Sequence, residues 1–101
     1  MSEVAEKKEK SKELELSIRA TNNAVWDTEK FDNTDKVSRV RDRSVKHFIK
    51  KSDMSEGEYD LCILKGGVAQ PALDPSARLK DADVHNHSKL VLVAKKPQVD
   101  G

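Results

Sequence analysis

Apolar and polar residues alternate through ELELSIRAT, residues 13–21. The apolar members of this stretch are Leu14, Leu16, Ile18 and Ala20. A repeat of two with one polar face predicts a half-buried β-strand. Asn22 and Asn23 come next, and asparagine tolerates the positive φ angles of tight turns. Because AVWDTEKF then continues as a second extended segment, residues 13–31 are predicted to form a β-hairpin.

The hydrophobic spacing changes in DNTDKVSRVRDRSVKHFIKKS, residues 32–52. Steps of three, four and four connect one row of positions: Val37, Val40, Ser44 and Phe48. This spacing predicts an amphipathic α-helix. Thr34 is its predicted N-cap, with Asp35 in the first turn. Lys50 and Lys51 follow at the carbonyl end, where positive charge complements the helix dipole.

The second half of the chain returns to extended segments. EYDLCIL is predicted as a third strand, ALDP as a short extended segment, and LVLVA as the central strand. Leu79 and Val84, five residues apart in ARLKDADV, favour a single tight helical turn. The predicted order is β-β-α-β-β-(short 3-10 turn)-β, an α+β fold with a mixed four- to five-stranded sheet packed on one long helix. The last strand is expected beside the first and parallel to it, with the helix in the crossover.

Composition narrows the functional classes. The chain has 101 residues, enough for one domain, and its 19 basic residues nearly balance 18 acidic ones. This balance argues against general binding of nucleic acid, which needs a basic excess. No apolar run approaches the roughly 20 residues of a membrane span, so no membrane partner is predicted. Cys62 is the single cysteine, which fits a reducing, cytoplasmic compartment.

This order and spacing resemble the β-grasp fold of the ubiquitin-like family over residues 13–101. The most specific part is LDPSARLKDADVHNHSKLVLV, residues 73–93. The positions that match the family's leucine, turn and strand pattern are Leu73, Leu79, Asp81, Val84, Ser88, Leu90 and Leu92. Thr34 matches the family's helix-capping threonine. KGGVAQPA, residues 65–72, is interpreted as an insert without a counterpart, and Asp100 stands where ubiquitin has a glycine.

The chain also resembles bacterial ubiquitin-like proteins that carry a V-L-D-P segment and end in V-G-G. This resemblance implies a protein modifier, not an enzyme, with no cofactor of its own. It also implies an E1-like adenylating enzyme, an E2-like conjugating enzyme, a JAB-type metal-dependent deconjugating peptidase and a target protein as partners. Gly101 would be the residue whose carboxylate is activated and transferred.

The two ends of the chain are predicted to be tails around a folded domain of residues 13–94. Residues 1–12 are charged and have nothing to bury, so we expect them to be disordered. Residues 95–101 are expected to be a flexible segment of at most about 23–25 Å that enters an enzyme channel. The channel residues would be Lys95, Lys96, Pro97, Gln98, Val99 and Asp100. The alternative from the tail alone is an ordinary frayed terminus.

An apolar docking patch is expected on the face of the sheet away from the helix. Strand alternation places Val91 and Val93 there, opposite to Leu90 and Leu92. Ile63 is the third predicted member, although both faces of its strand are apolar and alternation leaves its side undecided. Trp26 is assigned either to the core or to the patch.

Other reactive residues have simpler interpretations. Cys62 lies mid-strand without a basic neighbour, which favours packing over catalysis. His85 and His87 lie in a loop and lack the third and fourth ligands of a metal site. The basic helix stretch RVRDRSVKHFIKK is interrupted by an aspartate and favours a solvated face.

Three functions are compatible with the sequence. The leading hypothesis is a conjugated modifier. The second is a ubiquitin-like interaction or adaptor domain that binds partners without conjugation, which Asp100 favours. The third is a sulfur carrier of the thiamin or molybdopterin type.

Overall fold

The computed structural model describes residues 12–95. A hairpin of two strands precedes a long helix, and three more strands follow, the last two separated by one turn of 3-10 helix. In chain order the elements are β1 (Glu13–Arg19), β2 (Val25–Asp32), α1 (Val37–Lys50), β3 (Tyr59–Lys65), β4 (Val68–Ala72), the 3-10 turn (Leu79–Asp81) and β5 (Lys89–Ala94).

All five strands form one mixed sheet in the order β2-β1-β5-β3-β4. The pairing of β1 with β5 is parallel, and the other three pairings are antiparallel. The predicted central position of β5 and its parallel pairing with the first strand are therefore confirmed. The α1 helix lies between the hairpin and β3 in sequence, so it is part of the crossover connection that the parallel pair of β1 and β5 requires.

Asparagine chemistry closes the β1–β2 hairpin as predicted. Asn23 has a φ of 74°, and the Asn22 side-chain oxygen accepts a hydrogen bond from the Ala24 amide at 3.0 Å. The Ala20 amide donates to the Ala24 carbonyl at 2.8 Å. The positive φ at Asn23 and the Asn22 acceptor shape the turn that this backbone hydrogen bond closes.

The buried stripe of α1 is the predicted one, but its capping is not. Lys36 is the N-cap residue and makes no side-chain cap, and no acidic residue lies in the first turn. The prediction of Thr34 as N-cap was therefore wrong. Asp35 precedes the helix, and its carboxylate accepts a hydrogen bond from the Asp32 amide at 3.0 Å.

The first amides of α1 bond to a distant loop instead. The Val37 amide donates to the Ala77 carbonyl at 2.9 Å, and the Ser38 amide donates to the Pro75 carbonyl at 3.0 Å. These carbonyls satisfy donors that a local side chain would otherwise cap, which explains why none is needed.

The segment interpreted as an insert forms a turn and a strand. Gly66 and Gly67 have φ angles of 55° and 81°, the left-handed geometry of a two-residue hairpin turn. The strand that follows is Val68–Ala72, so the predicted extended segment ALDP lies mostly beyond β4. Pro71 is tolerated within β4 because β4 is an edge strand.

The core lies between α1 and one face of the sheet. Its largest fully buried side chains include Leu16, Ile18, Leu61, Leu79, Leu90, Leu92, Val37, Val40 and Phe48. Ser44 is buried among them, and its hydroxyl donates to the Val40 carbonyl at 2.7 Å. Among residues 12–95, no buried side-chain nitrogen or oxygen lacks a hydrogen-bond partner.

Backbone hydrogen bonds continue for one residue beyond each end of the strand-forming region. Lys12 exchanges two hydrogen bonds with Asn33: its amide donates to the asparagine side chain at 3.0 Å, and its carbonyl accepts from the asparagine amide at 2.9 Å. At the other end, the Lys95 amide donates to the Glu58 carbonyl at 2.9 Å. Residues 1–11 and 96–101 lie outside the described part of the chain.

Candidate interaction surface on the open face of the sheet

Strand register aligns one residue from each strand in a row across the open face, the side of the sheet away from α1. Val25 pairs with Arg19, Arg19 with Val91, Val91 with Cys62, and Cys62 with Ala72. Directly paired residues point to the same side of a sheet. We call these five residues the open-face row. It is apolar except for Arg19.

The register also decides the side on which Ile63 lies. Ile63 pairs with Leu90, and Leu61 pairs with Leu92, so both β3 residues face the helix. Ile63 is 9% exposed and belongs to the hydrophobic core. Its predicted place in an open-face patch is therefore wrong, and Cys62 occupies that side of β3.

Val91 and Val93 lie on the open face, as strand alternation predicted. Val91 is half-buried, whereas Val93 is 39% exposed and pairs with Asp60. Val25, at the β2 end of the row, is 49% exposed. The accessible apolar surface therefore lies at Val25 on one edge strand and at Val93 beside the centre of the sheet.

A shallow groove of about 370 Å³ runs over β1 next to the row. Arg19 and Val25 line it together with Leu64, Lys89 and His87. Its acidic lining residues are Glu15 and Asp27. Charges of both signs around an apolar strip are typical of a surface that binds another protein.

Cys62 is a packed thiol and a poor nucleophile. It is 4% exposed. Burial, followed by the nearby Asp60 carboxylate, raises the pKa of the Cys62 thiol above its ordinary value. The thiol therefore stays protonated at neutral pH, whereas the reactive form is the thiolate.

The histidines of the loop before β5 are exposed, and each lies near a carboxylate. His85 Nε2 lies 3.0 Å from Asp83 Oδ1, and His87 Nδ1 lies 3.8 Å from Glu15 Oε1. The Asn86 side-chain oxygen accepts from the Glu15 amide at 2.8 Å, which attaches this loop to β1. Within residues 12–95, no group of three or more potential metal ligands comes together.

Trp26 lies on the helix side of the sheet, where it pairs with Ile18. Its ring stacks on His47 of α1, with centroids 4.1 Å apart and planes 8° from parallel. This contact fixes the hairpin against the helix and leaves the indole out of the open face. The two sequence alternatives for Trp26 are thereby resolved in favour of the core side.

Of the predicted tail residues, only Lys95 is described. It is exposed, and its Nζ lies 3.9 Å from Asp60 Oδ1. The predicted channel residues Lys96, Pro97, Gln98, Val99 and Asp100 and the predicted conjugation residue Gly101 lie outside the described residues.

Sequence reasoning missed Arg19, Val25, Cys62 and Ala72 as members of the open-face row. Alternation within β1 puts Arg19 on the wet face, but its alignment with Val91 depends on the register of the parallel pair. No local pattern encodes that register, because the two strands are about 70 residues apart in sequence.

Solved structures of several ubiquitin-like domains share this architecture. The structure is similar to tubulin-binding cofactor B of Trypanosoma brucei, with a TM-score of 0.67 and 9% sequence identity, covering 86% of this chain and 100% of that chain. For the N-terminal ubiquitin-like domain of tubulin-binding cofactor B from Drosophila melanogaster the TM-score is 0.59 and the identity 18%, covering 85% and 88%. For the UBL domain of yeast Ddi1 these values are 0.57 and 9%, covering 89% and 98%.

At these identities the likeness establishes the fold, a ubiquitin-like β-grasp, and confirms the fold class predicted from the sequence. No protein-family model matches the sequence, and no curated protein is similar to it. Among residues 12–95, α1 is too short and too polar to cross a membrane, and so is the 3-10 turn.

Proposed function

We propose that the chain is a non-catalytic interaction module that binds a partner protein through the open-face row. The observation that carries this proposal is the alignment of Arg19 with four small apolar residues across all five strands; Cys62 is buried, and the other four reach solvent. The ubiquitin-like fold supports it, since that fold presents the same face of the sheet to solvent.

The row fits a modest, transient interface. Five strands about 4.8 Å apart give it a length of about 19 Å. A patch of that length is at the small end of the size range of specific protein interfaces. Arg19 lies beside the middle of the row, and arginine surrounded by apolar contacts is typical of residues that dominate binding energy.

Site-specific photo-cross-linking tests this proposal. A photoreactive amino acid replaces Val93, which is exposed beside the row, and in a control it replaces Val68, which is 62% exposed on the edge strand β4. We expect the Val93 position, and not the Val68 position, to cross-link to one defined protein in cell extract.

The cross-linked protein is then purified and its affinity measured directly. Arg19→Ala and Val93→Asp should each weaken binding at least about tenfold, a loss of about 1.4 kcal/mol. Retention of full affinity by both variants would show that the partner binds elsewhere and would exclude the open-face row as the binding surface.

Conjugation through Gly101 is the second candidate. The observation in its favour is that β5 ends at Ala94, seven residues before Gly101. Residues 96–101 then supply the glycine that the modifier hypothesis requires. The partners would be the E1-like, E2-like and JAB-type enzymes and a target protein.

Mass spectrometry separates these functions. Incubation with ATP and an adenylating enzyme from the same genome should give no covalent adduct if the chain is an interaction module. An adduct at Gly101 that is lost when Gly101 is deleted would assign the chain as a modifier. A thiocarboxylate at Gly101 would instead assign it as a sulfur carrier.

A further inference from the structure

The solvent-facing side of α1 carries a line of cations. Its exposed positions are Arg39, Asp42, Arg43, Lys46 and Lys50. Four of these five are basic, and they recur at steps of four, three and four. Residues at this spacing lie along one side of a helix. The cations therefore form a straight stripe opposite the buried side of the helix.

A groove of about 630 Å³ lies beside this stripe, between α1 and the start of β3. Val45, Ile49 and Tyr59 contribute apolar surface to it, and all three are half-buried against the core. The Tyr59 hydroxyl donates to the Ser55 carbonyl at 2.7 Å, which holds the ring at the groove. The groove thus has an apolar floor along a basic helix.

The charges around this helix groove leave a positive excess. Its basic lining residues are Arg41, Arg43, Lys46 and Lys95, and its acidic ones are Asp42 and Glu58. Arg41 Nε lies 3.0 Å from Asp42 Oδ1, and Arg43 Nη2 lies 3.3 Å from Glu29 Oε2. Within residues 12–95, Lys46 has no acidic group within 4.0 Å. Lys46 is therefore free to pair with an incoming carboxylate.

We propose that the helix groove binds an acidic peptide segment that carries a large apolar side chain. The apolar side chain occupies the floor formed by Val45, Ile49 and Tyr59, and carboxylates pair with Lys46 and its neighbours. This site lies on the helix side of the sheet, away from the open-face row, so it does not depend on the function proposed above.

Two properties favour a peptide over other polyanions. The chain as a whole has a formal net charge of only +1, whereas binding of duplex DNA draws on many phosphate contacts and a large basic excess. A half-buried floor of valine, isoleucine and tyrosine beside the basic stripe matches an apolar side chain flanked by carboxylates.

Fluorescence anisotropy with a labelled glutamate-rich peptide containing two leucines tests the site. We expect Lys46→Glu to weaken binding about five- to tenfold, because one attraction becomes a repulsion. Lys65→Glu is the matched control: it makes the same change in net charge at the far end of β3 and should change affinity less than about twofold. Raising the salt from about 50 to about 300 mM should weaken binding, since exposed charges are screened.

Further measurements decide whether the groove itself is used. Amide chemical shifts should change at Val45, Ile49 and Tyr59 when the peptide is added, and replacing its leucines by serine should weaken binding. The proposal is overturned if Lys65→Glu is as harmful as Lys46→Glu, or if the serine peptide binds equally well. Tighter, Lys46-dependent binding of duplex DNA or of anionic vesicles would likewise overturn it.

Discussion

Truncation of Leu90 to alanine probes the centre of the fold. Leu90 is fully buried in β5, and it lies between Ile18 of β1 and Ile63 of β3. The change removes three carbons, worth about 2.4 kcal/mol at roughly 0.8 kcal/mol each. Neighbouring strands on both sides limit collapse, so a residual cavity should add about 1–2 kcal/mol. We expect a total loss of about 3.4–4.4 kcal/mol in the free energy of unfolding.

Urea unfolding followed by circular dichroism measures this loss. For a domain of this size, the melting temperature should fall by about 12 °C or more. Val93→Ala is the matched control, because it lies on the same strand, faces the open side and is 39% exposed. It should cost less than about 1 kcal/mol. A Leu90→Ala loss below about 1.5 kcal/mol, or one no larger than that of Val93→Ala, would refute the placement of Leu90 in the core.

Three further predictions concern individual residues. Burial, and after it the Lys51 charge, lowers the pKa of His47 below 6.5 in the folded protein. The unfolded chain therefore binds this proton at a higher pH than the folded protein does, so stability should fall as the pH drops below 6.5. His47→Gln should reduce that pH dependence of unfolding, and Lys51→Gln should raise the pKa of His47 in an NMR titration; an unchanged pKa would show that the Lys51 charge does not contribute to the shift. Cys62 should react with iodoacetamide much faster in urea than in the folded protein at pH 8, and equal rates would show that the thiol is accessible. Gly67→Ala should cost about 1 kcal/mol of stability in urea unfolding because φ is 81°, while Gly67→Asn should cost less; equal costs would argue against a left-handed turn.

The elements that sequence reasoning predicted correctly are those with local signals. The repeat of two in β1 and the stripe of Val37, Val40 and Phe48 each require only one buried face, which the chain displays within a few residues. The single helical turn at Leu79 and the asparagine turn after β1 follow from equally local chemistry.

The errors fall where a distant part of the chain decides the outcome. Thr34 has the right chemistry for a cap, but the first helix amides donate to the carbonyls of Pro75 and Ala77 instead. Ile63 has apolar neighbours on both sides, so only its pairing with Leu90 reveals which face it occupies. The open-face row likewise depends on the register of four strand pairings, which no local pattern predicts.

The donors at the start of α1 have a consequence for how the chain folds. Their acceptors, the carbonyls of Pro75 and Ala77, come from nearly 40 residues downstream. A nascent helix at residues 37–50 therefore lacks its N-terminal partners until the segment leading to the 3-10 turn has closed over it. We expect the isolated peptide of residues 34–52 to show little helicity by circular dichroism, with acquisition of the helix coupled to that of the sheet in one cooperative step. A largely helical peptide would show instead that the helix nucleates on its own.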